Sequence, residues 1–263
     1  MPQIETNGTT LHYRFDGPEQ GPLVMLSNSL ASNLSMWDLQ IPALLDEGFR
    51  ILRYDSRGHG QSAAPEGPYT IELLTGDAVA LMDTLGIGKV HFCGLSKGGM
   101  VGQMLGAKHG DRLISLTLCD TASFAGGPEV WSERIQAVRA GGMASVVDAT
   151  IDRWFTKPGQ DRLPTEVGKV RDMILTTPVD GFCACGEAIR DMDQRESIRA
   201  ITTPTLVIVG EDDPGTTVEV ARGIHESIAG SKLEIIPESA HLCNIEQAEA
   251  FNSPLLQFLK SHI

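Results

Sequence analysis

Short apolar and β-branched runs recur along this chain at intervals long enough to hold a helix, and that spacing restricts the fold more than any other feature. The runs are "PLVMLSN", "FRILRYD", "KVHFCGLS", "LISLTLCD", "TPTLVIVGED" and "SKLEIIPES". Strands separated by helix-length connections pair in parallel and take helices on both faces. The predicted fold is therefore α/β, a mainly parallel, twisted sheet between two helical layers. The opening "IETNGTTLHYRF" behaves differently, alternating polar and apolar residues on both sides of Asn7-Gly8, which signals a tight hairpin of two antiparallel strands. In "TIELLTGDAVALMDTLGI" the residues Ile71, Leu74, Ala78, Leu81, Met82 and Leu85 fall at helix spacing, with Thr70 placed to cap the start and Gly86 to end it.

Between residues 122 and 196 the strand signal disappears. Four helix-like stretches follow, around Trp131, Val146, Val170 and Ala188, punctuated by Gly126, Gly127, Pro158, Gly159 and Pro178. The expected organisation is a core of residues 1–121 and 197–263 interrupted by a helical cap at 122–196. A length of 263 residues suits one domain carrying such an insertion.

Charge and composition exclude several classes of function. The net charge of -13 is spread without a basic run, so nucleic acid and anionic membrane surfaces would be repelled. No window approaches the ~18 consecutive apolar residues of a membrane helix. The start, "MPQIETNGTT", has neither a basic stretch nor an apolar region that would direct export, so a cytoplasmic protein is expected. Five cysteines without paired CxxC spacing read as reduced, buried thiols rather than disulfides or a zinc site.

The chemistry is concentrated where "VHFC" runs into "GLSKGG" and then into a helical pattern. A serine on a strand-to-helix elbow has its hydroxyl thrust out at the carboxyl edge of the sheet, and Gly94 and Gly98 leave room for the tight turn. Ser96 is the candidate nucleophile. It needs a base, and the base needs a carboxylate to fix its tautomer. Of the downstream histidines, His109 ends the nucleophile helix, His225 falls in a surface-helix pattern and His262 lies in the C-terminal tail. His241 follows the last predicted strand, at the same edge as the elbow, and is the candidate base. "IVGEDDP" offers Glu211, Asp212 and Asp213 as acids, any of which could face it. An oxyanion formed at Ser96 would need two N–H donors, one of them the backbone of Lys97.

These segments carry a resemblance. With "YDSRGHGQS", "GLSKGG", "VGEDD" and "ESAHLCNIEQAEAF", the chain resembles the α/β-hydrolase family over nearly all its length. The resemblance implies that the acid stands third after the strand-end glycine, which is Asp213 after Gly210, with Asp212 the alternate. It also implies that His59 shapes a loop rather than acting as a second base. Within the family, "LSNSLASNLSMWDLQIP", "RYDSRGHGQSAAPEGPYTIELL", "SLTLCDTA", "EVWSERI", "RWFT" and "AIRDMDQRE" are most similar to 3-oxoadipate enol-lactonases.

That similarity implies hydrolysis of a small carboxylate-bearing enol lactone to 3-oxoadipate in aromatic catabolism, with no metal or organic cofactor. It places the second oxyanion donor at the backbone of Leu30, after Asn28-Ser29. A substrate carboxylate leaving water needs a cation or strong donors, and the expected cap supplies Trp131, Arg134 and Arg190. The Lys97 side chain is a further candidate. A cation in the first turn of a helix opposes the macrodipole, which marks it as a residue that local propensity did not choose. The alternatives are a general carboxylesterase, a lactonase for another ring, or a non-catalytic ligand-binding member of the fold.

Overall fold

The computed structural model describes residues 2–263. The eight-stranded sheet has the order β1-β2-β4-β3-β5-β6-β7-β8. The strands are β1 Gln3–Thr6, β2 Thr9–Asp16, β3 Leu23–Ser27, β4 Arg50–Tyr54, β5 Val90–Leu95, β6 Leu113–Cys119, β7 Thr205–Gly210 and β8 Lys232–Ile236. The first two form the expected hairpin, turning through Asn7 and Gly8, both at positive φ, with Thr6 opposite Thr9. From β4 onward the pairing is parallel.

The central strands β5 and β7 are buried at every position, and β3, β4 and β6 at all but one. Val24, Met25, Leu26, Phe92, Leu116, Leu118 and Ile208 form the middle of the core. In the core, α1 Ile41–Asp46 packs on α11 Ala248–Lys260, and α2 Ile71–Thr84 packs on α3 Lys97–Lys108. Thr70 caps α2 by accepting the Leu73 N–H at 3.0 Å, as its sequence position suggests. The remaining core helices are α9 Val218–Ser227 and the short α10 Cys243–Glu246. All five cysteines are free and buried. No helix is long and apolar enough to cross a membrane among the described residues.

Between β6 and β7 the chain is helical: α4 Pro128–Gly141, α5 Val147–Trp154, α6 Lys157–Arg162, α7 Pro164–Thr176 and α8 Val179–Arg190. The two ends of this segment meet in a bridge between Phe124 and Asp193, and the Gln194 N–H donates to the Ser123 carbonyl at 2.7 Å. The sequence suggested four helices here and the structure has five. The extra one, α6, contains Pro158-Gly159, which reads as a break. Proline in the first turn gives up no helical hydrogen bond, however, and the Thr156 hydroxyl caps the turn by accepting the Gly159 N–H at 3.0 Å.

Candidate active site

Ser96 alone joins β5 to α3. It is held at φ 56°, ψ -113°, which is strained for a residue with a Cβ. The elbow can be this sharp only because its neighbours lack side chains. A Cβ on Gly94 would overlap the Gly98 carbonyl, and one on Gly98 would overlap the Ser27 carbonyl at the end of β3. The strain is locked from below by the Ser96 N–H, which donates to the Cys119 carbonyl of β6 at 2.8 Å. Ser96 is 9% exposed, at the carboxyl edge of the sheet.

The loops after β7 and β8 reach the same edge. His241 Nδ1 lies 2.7 Å from Asp213 Oδ2. Asp213 also accepts the Gly215 and Thr216 N–H groups at 2.8 and 3.0 Å and the Thr216 hydroxyl. Burial alone would raise the Asp213 carboxyl, but the His241 charge and these donors outweigh it and hold the group well below the usual range. For His241 burial pulls downward, and Asp213 more than compensates, leaving the imidazole above its ordinary value. Asp212 and Glu211 are exposed, and neither accompanies the histidine. The hydrogen bonds of the His241 ring run through Nδ1, so Nε2 has no protein partner among the described residues. Ser96 Oγ is likewise unbonded, and such pairs often close only around substrate.

Two backbone donors, one beside Ser96 and one in the loop after β3, are without an acceptor among the described residues. One is Lys97 N–H, the first orphan donor of α3. The other is Leu30 N–H, which stands between two donors that are satisfied: Ser29 N–H donates to Met36 Sδ at 3.3 Å and Ala31 N–H to His59 Nε2 at 3.0 Å.

From the helical segment, Trp154 stacks on His241 with ring centroids 6.1 Å apart and planes 28° apart. The half-buried Arg134 lies between the rings of Trp131 and Phe182, at 5.2 and 5.3 Å. Its Nη2 donates to Thr150 Oγ1 at 3.3 Å, and Arg153 Nη2 lies 3.5 Å from the same hydroxyl. Arg134 Nε is enclosed without an acceptor, and no carboxylate lies within 4.0 Å of the guanidinium among the described residues. Burial and the Arg153 cation push Arg134 down from its ordinary value.

The sequence from residue 22 to 248 matches the family of the α/β-hydrolase fold. The chain belongs to the α/β-hydrolase family. It is similar to the enol-lactonase of Burkholderia xenovorans LB400, whose crystal structure superposes with a TM-score of 0.96 at 44% identity, covering 98% of this chain and 100% of that one. It is 37% identical to 3-oxoadipate enol-lactonase 2 of Acinetobacter baylyi over 98% of this chain and 96% of that protein. A protein of Variovorax paradoxus named for carbamate hydrolysis is 28% identical over 95% of this chain and 96% of its own.

Two of the sequence candidates are placed differently from expectation. Arg190 does not join the other cap residues: it ends α8 at the surface, where its Nε lies 2.6 Å from Asp191 Oδ1, and a strong local acid satisfies it outside the site. The Lys97 side chain, offered as a candidate for the substrate carboxylate, is enclosed instead. It is 1% exposed, with no carboxylate within 4.0 Å among the described residues, and its charge is felt at His59 and Cys185. Burial pushes its ammonium down, with Cys185, Asp55 and Asp77 opposing only in part.

An enclosed, unpaired ammonium costs stability. Lys97→Met, similar in shape but neutral, is therefore expected to stabilise this α/β-hydrolase by about 1–3 kcal/mol. A thermal unfolding series checks this, and an unchanged or lower midpoint would show that the charge is compensated.

Sequence reasoning also missed Thr216, Trp154, Phe182 and Asp120. Asp120 sits at the end of β6 at φ 42°, accepting the Gly210 N–H at 2.8 Å and the Cys243 thiol at 2.8 Å. It thus ties the loop of Asp213 to that of His241. Burial, then the nearby Asp213 charge, push its carboxyl up to about 8. "RWFT" and "CDTA" contain Trp154 and Asp120, but nothing local assigns them a contact. A groove of about 750 Å³ beside these loops, lined by Asp152, Lys157, Arg162, Asp212 and Glu238 among others, does not include Ser96.

Proposed function

We propose that this chain hydrolyses a small enol lactone bearing a carboxylate, 3-oxoadipate enol-lactone, through an acyl-enzyme on Ser96. His241 takes the Ser96 hydroxyl proton as Oγ attacks the lactone carbonyl. The oxyanion is met by the Leu30 and Lys97 N–H groups, and Asp213 holds the imidazolium. Collapse breaks the ring C–O bond. The departing oxygen takes the proton from His241 and leaves as an enol that becomes a ketone. Water, deprotonated by His241, then attacks the ester on Ser96 and releases the second carboxylate. In this reading residues 122–196 act as a cap over the site.

The observation that carries the substrate class is Arg134, a guanidinium held between two aromatic rings with no acid within 4.0 Å to neutralise it among the described residues. A substrate carboxylate would supply the missing acid through a charge-assisted hydrogen bond. The likeness to named enol-lactonases in Burkholderia and Acinetobacter supports the same class. The Variovorax relative supports a carbamate as the competing substrate.

The test is Arg134→Ala, assayed on the anionic lactone and on a neutral ester of similar size. A lost charge-assisted contact should raise KM for the lactone by ~10- to 100-fold, with the neutral ester changed less than threefold. An equal change on both substrates, or none on either, removes Arg134 from carboxylate recognition.

A further inference from the structure

Ala31 sits at φ 58°, a conformation unfavourable for a side chain with a Cβ, immediately after the free Leu30 N–H. On one side of Leu30 the turn is held by Ser29 N–H on Met36 sulfur, a weak acceptor. On the other side Ala31 N–H donates to His59 Nε2 at 3.0 Å. His59 belongs to a different element, the turn after β4, and is buried. Because Ala31 donates, Nε2 must carry the lone pair, so the ring proton is on Nδ1. There the Arg57 carbonyl lies at 3.2 Å and Cys185 Sγ at 3.9 Å.

We propose that His59 is a positioning residue for the oxyanion hole: its Nε2 anchors Ala31 and so aims the Leu30 N–H at the oxygen that becomes negative in the transition state. This rests on Ser96 as nucleophile and Leu30 as donor. The anchor requires neutral imidazole, since an imidazolium has no lone pair to offer Ala31. The ring touches Cys185 from α8 and the Arg57 carbonyl, and the Lys97 charge from α3 is near enough to act on it. Burial first, and the Lys97 ammonium second, keep His59 well below its ordinary value. The enclosed Lys97 charge thereby has a place in the site without touching substrate.

His59→Gln and His59→Asn separate anchoring from packing. Glutamine Oε1 reaches the position of Nε2, whereas asparagine Oδ1 reaches only that of Nδ1. Both variants are assayed on an activated aryl ester, and both are titrated with an alkylboronic acid, which adds to the serine and loads the oxyanion hole.

The asparagine variant is expected to lose ~10- to 100-fold in kcat, with KM within twofold and boronate affinity falling in parallel. The glutamine variant should stay within about threefold of wild type on both readouts. Equal impairment of the two, kcat loss with unchanged boronate affinity, or a rise in KM at constant kcat would overturn the anchor. If the asparagine variant does not fold, glutamine alone decides, because loss of boronate affinity in a folded glutamine variant contradicts the proposal. Turnover surviving in Ser96→Ala would instead show that the underlying assignment of the nucleophile had failed.

Discussion

Ser96→Ala is expected to lower kcat by about 10⁵- to 10⁶-fold while leaving the thermal midpoint within a few degrees of wild type or above it. The size follows from the mechanism: without Oγ there is no acyl-enzyme, and only the oxyanion donors and binding contacts remain to assist water. Alanine also keeps the positive φ that the elbow imposes on this position, so it relieves none of that strain and removes no buried hydrogen bond of the fold. Steady-state turnover of an activated aryl ester, with a burst measurement on wild type, reads the effect. Activity within tenfold of wild type would remove Ser96 from the chemistry, and absence of turnover in wild type would favour a ligand-binding role for the fold.

Asp213→Asn is expected to cost about 10⁴-fold in kcat, against less than threefold for Asp212→Asn. An amide in place of the carboxylate presents an N–H to His241 Nδ1 and selects the wrong tautomer, whereas Asp212 is exposed and makes no contact with the ring. The pH profile carries a second signature. His241 lies above its ordinary value because Asp213 outweighs burial, and in the proposed role of base it must be neutral. In wild type, kcat/KM should therefore climb with pH through a limb at or above the ordinary histidine value of about 6.5. In Asp213→Asn the residual activity should have its acid limb moved to lower pH, since burial then acts without the opposing charge. A reversed ranking of the two aspartates, or an acid limb that does not move, would transfer the acid role elsewhere.

Strands were legible in the sequence because β3 to β7 are mostly buried on both faces and so are rich in apolar and β-branched residues, with few polar interruptions such as Arg53 and His91. The hairpin was legible because Asn7-Gly8 fits so few other turns. The elbow could be read for a related reason, since Gly94 and Gly98 answer backbone overlaps that any side chain would create. Asp213 was separated from Asp212 only through resemblance to a family. Adjacent residues in a turn point in opposite directions, and composition does not say which one faces His241.

The helical segment was least legible. Arg134 and Arg190 each lie on a charged helix, and nothing local distinguishes a guanidinium enclosed by Trp131, Phe182 and Thr150 from one paired to its own neighbour Asp191. That difference depends on how α4, α5 and α8 are rotated against one another, a property of packing between distant stretches. Lys97 announced itself as a broken local rule, but that its side chain is enclosed depends on tertiary packing that no local pattern carries.

The proposed substrate of this site is a carboxylate-bearing enol lactone. The most direct measurement compares kcat/KM of the purified wild-type protein for 3-oxoadipate enol-lactone, for its neutral methyl ester and for a carbamate of matched size. A charge-assisted contact made only by the anion corresponds to roughly 10- to 100-fold, and the enol leaving group adds reactivity that the carbamate lacks. The expected order is therefore anionic lactone first, its methyl ester at least tenfold behind, and the carbamate last. Equal values for the lactone and its methyl ester, or a preference for the carbamate, would contradict the account.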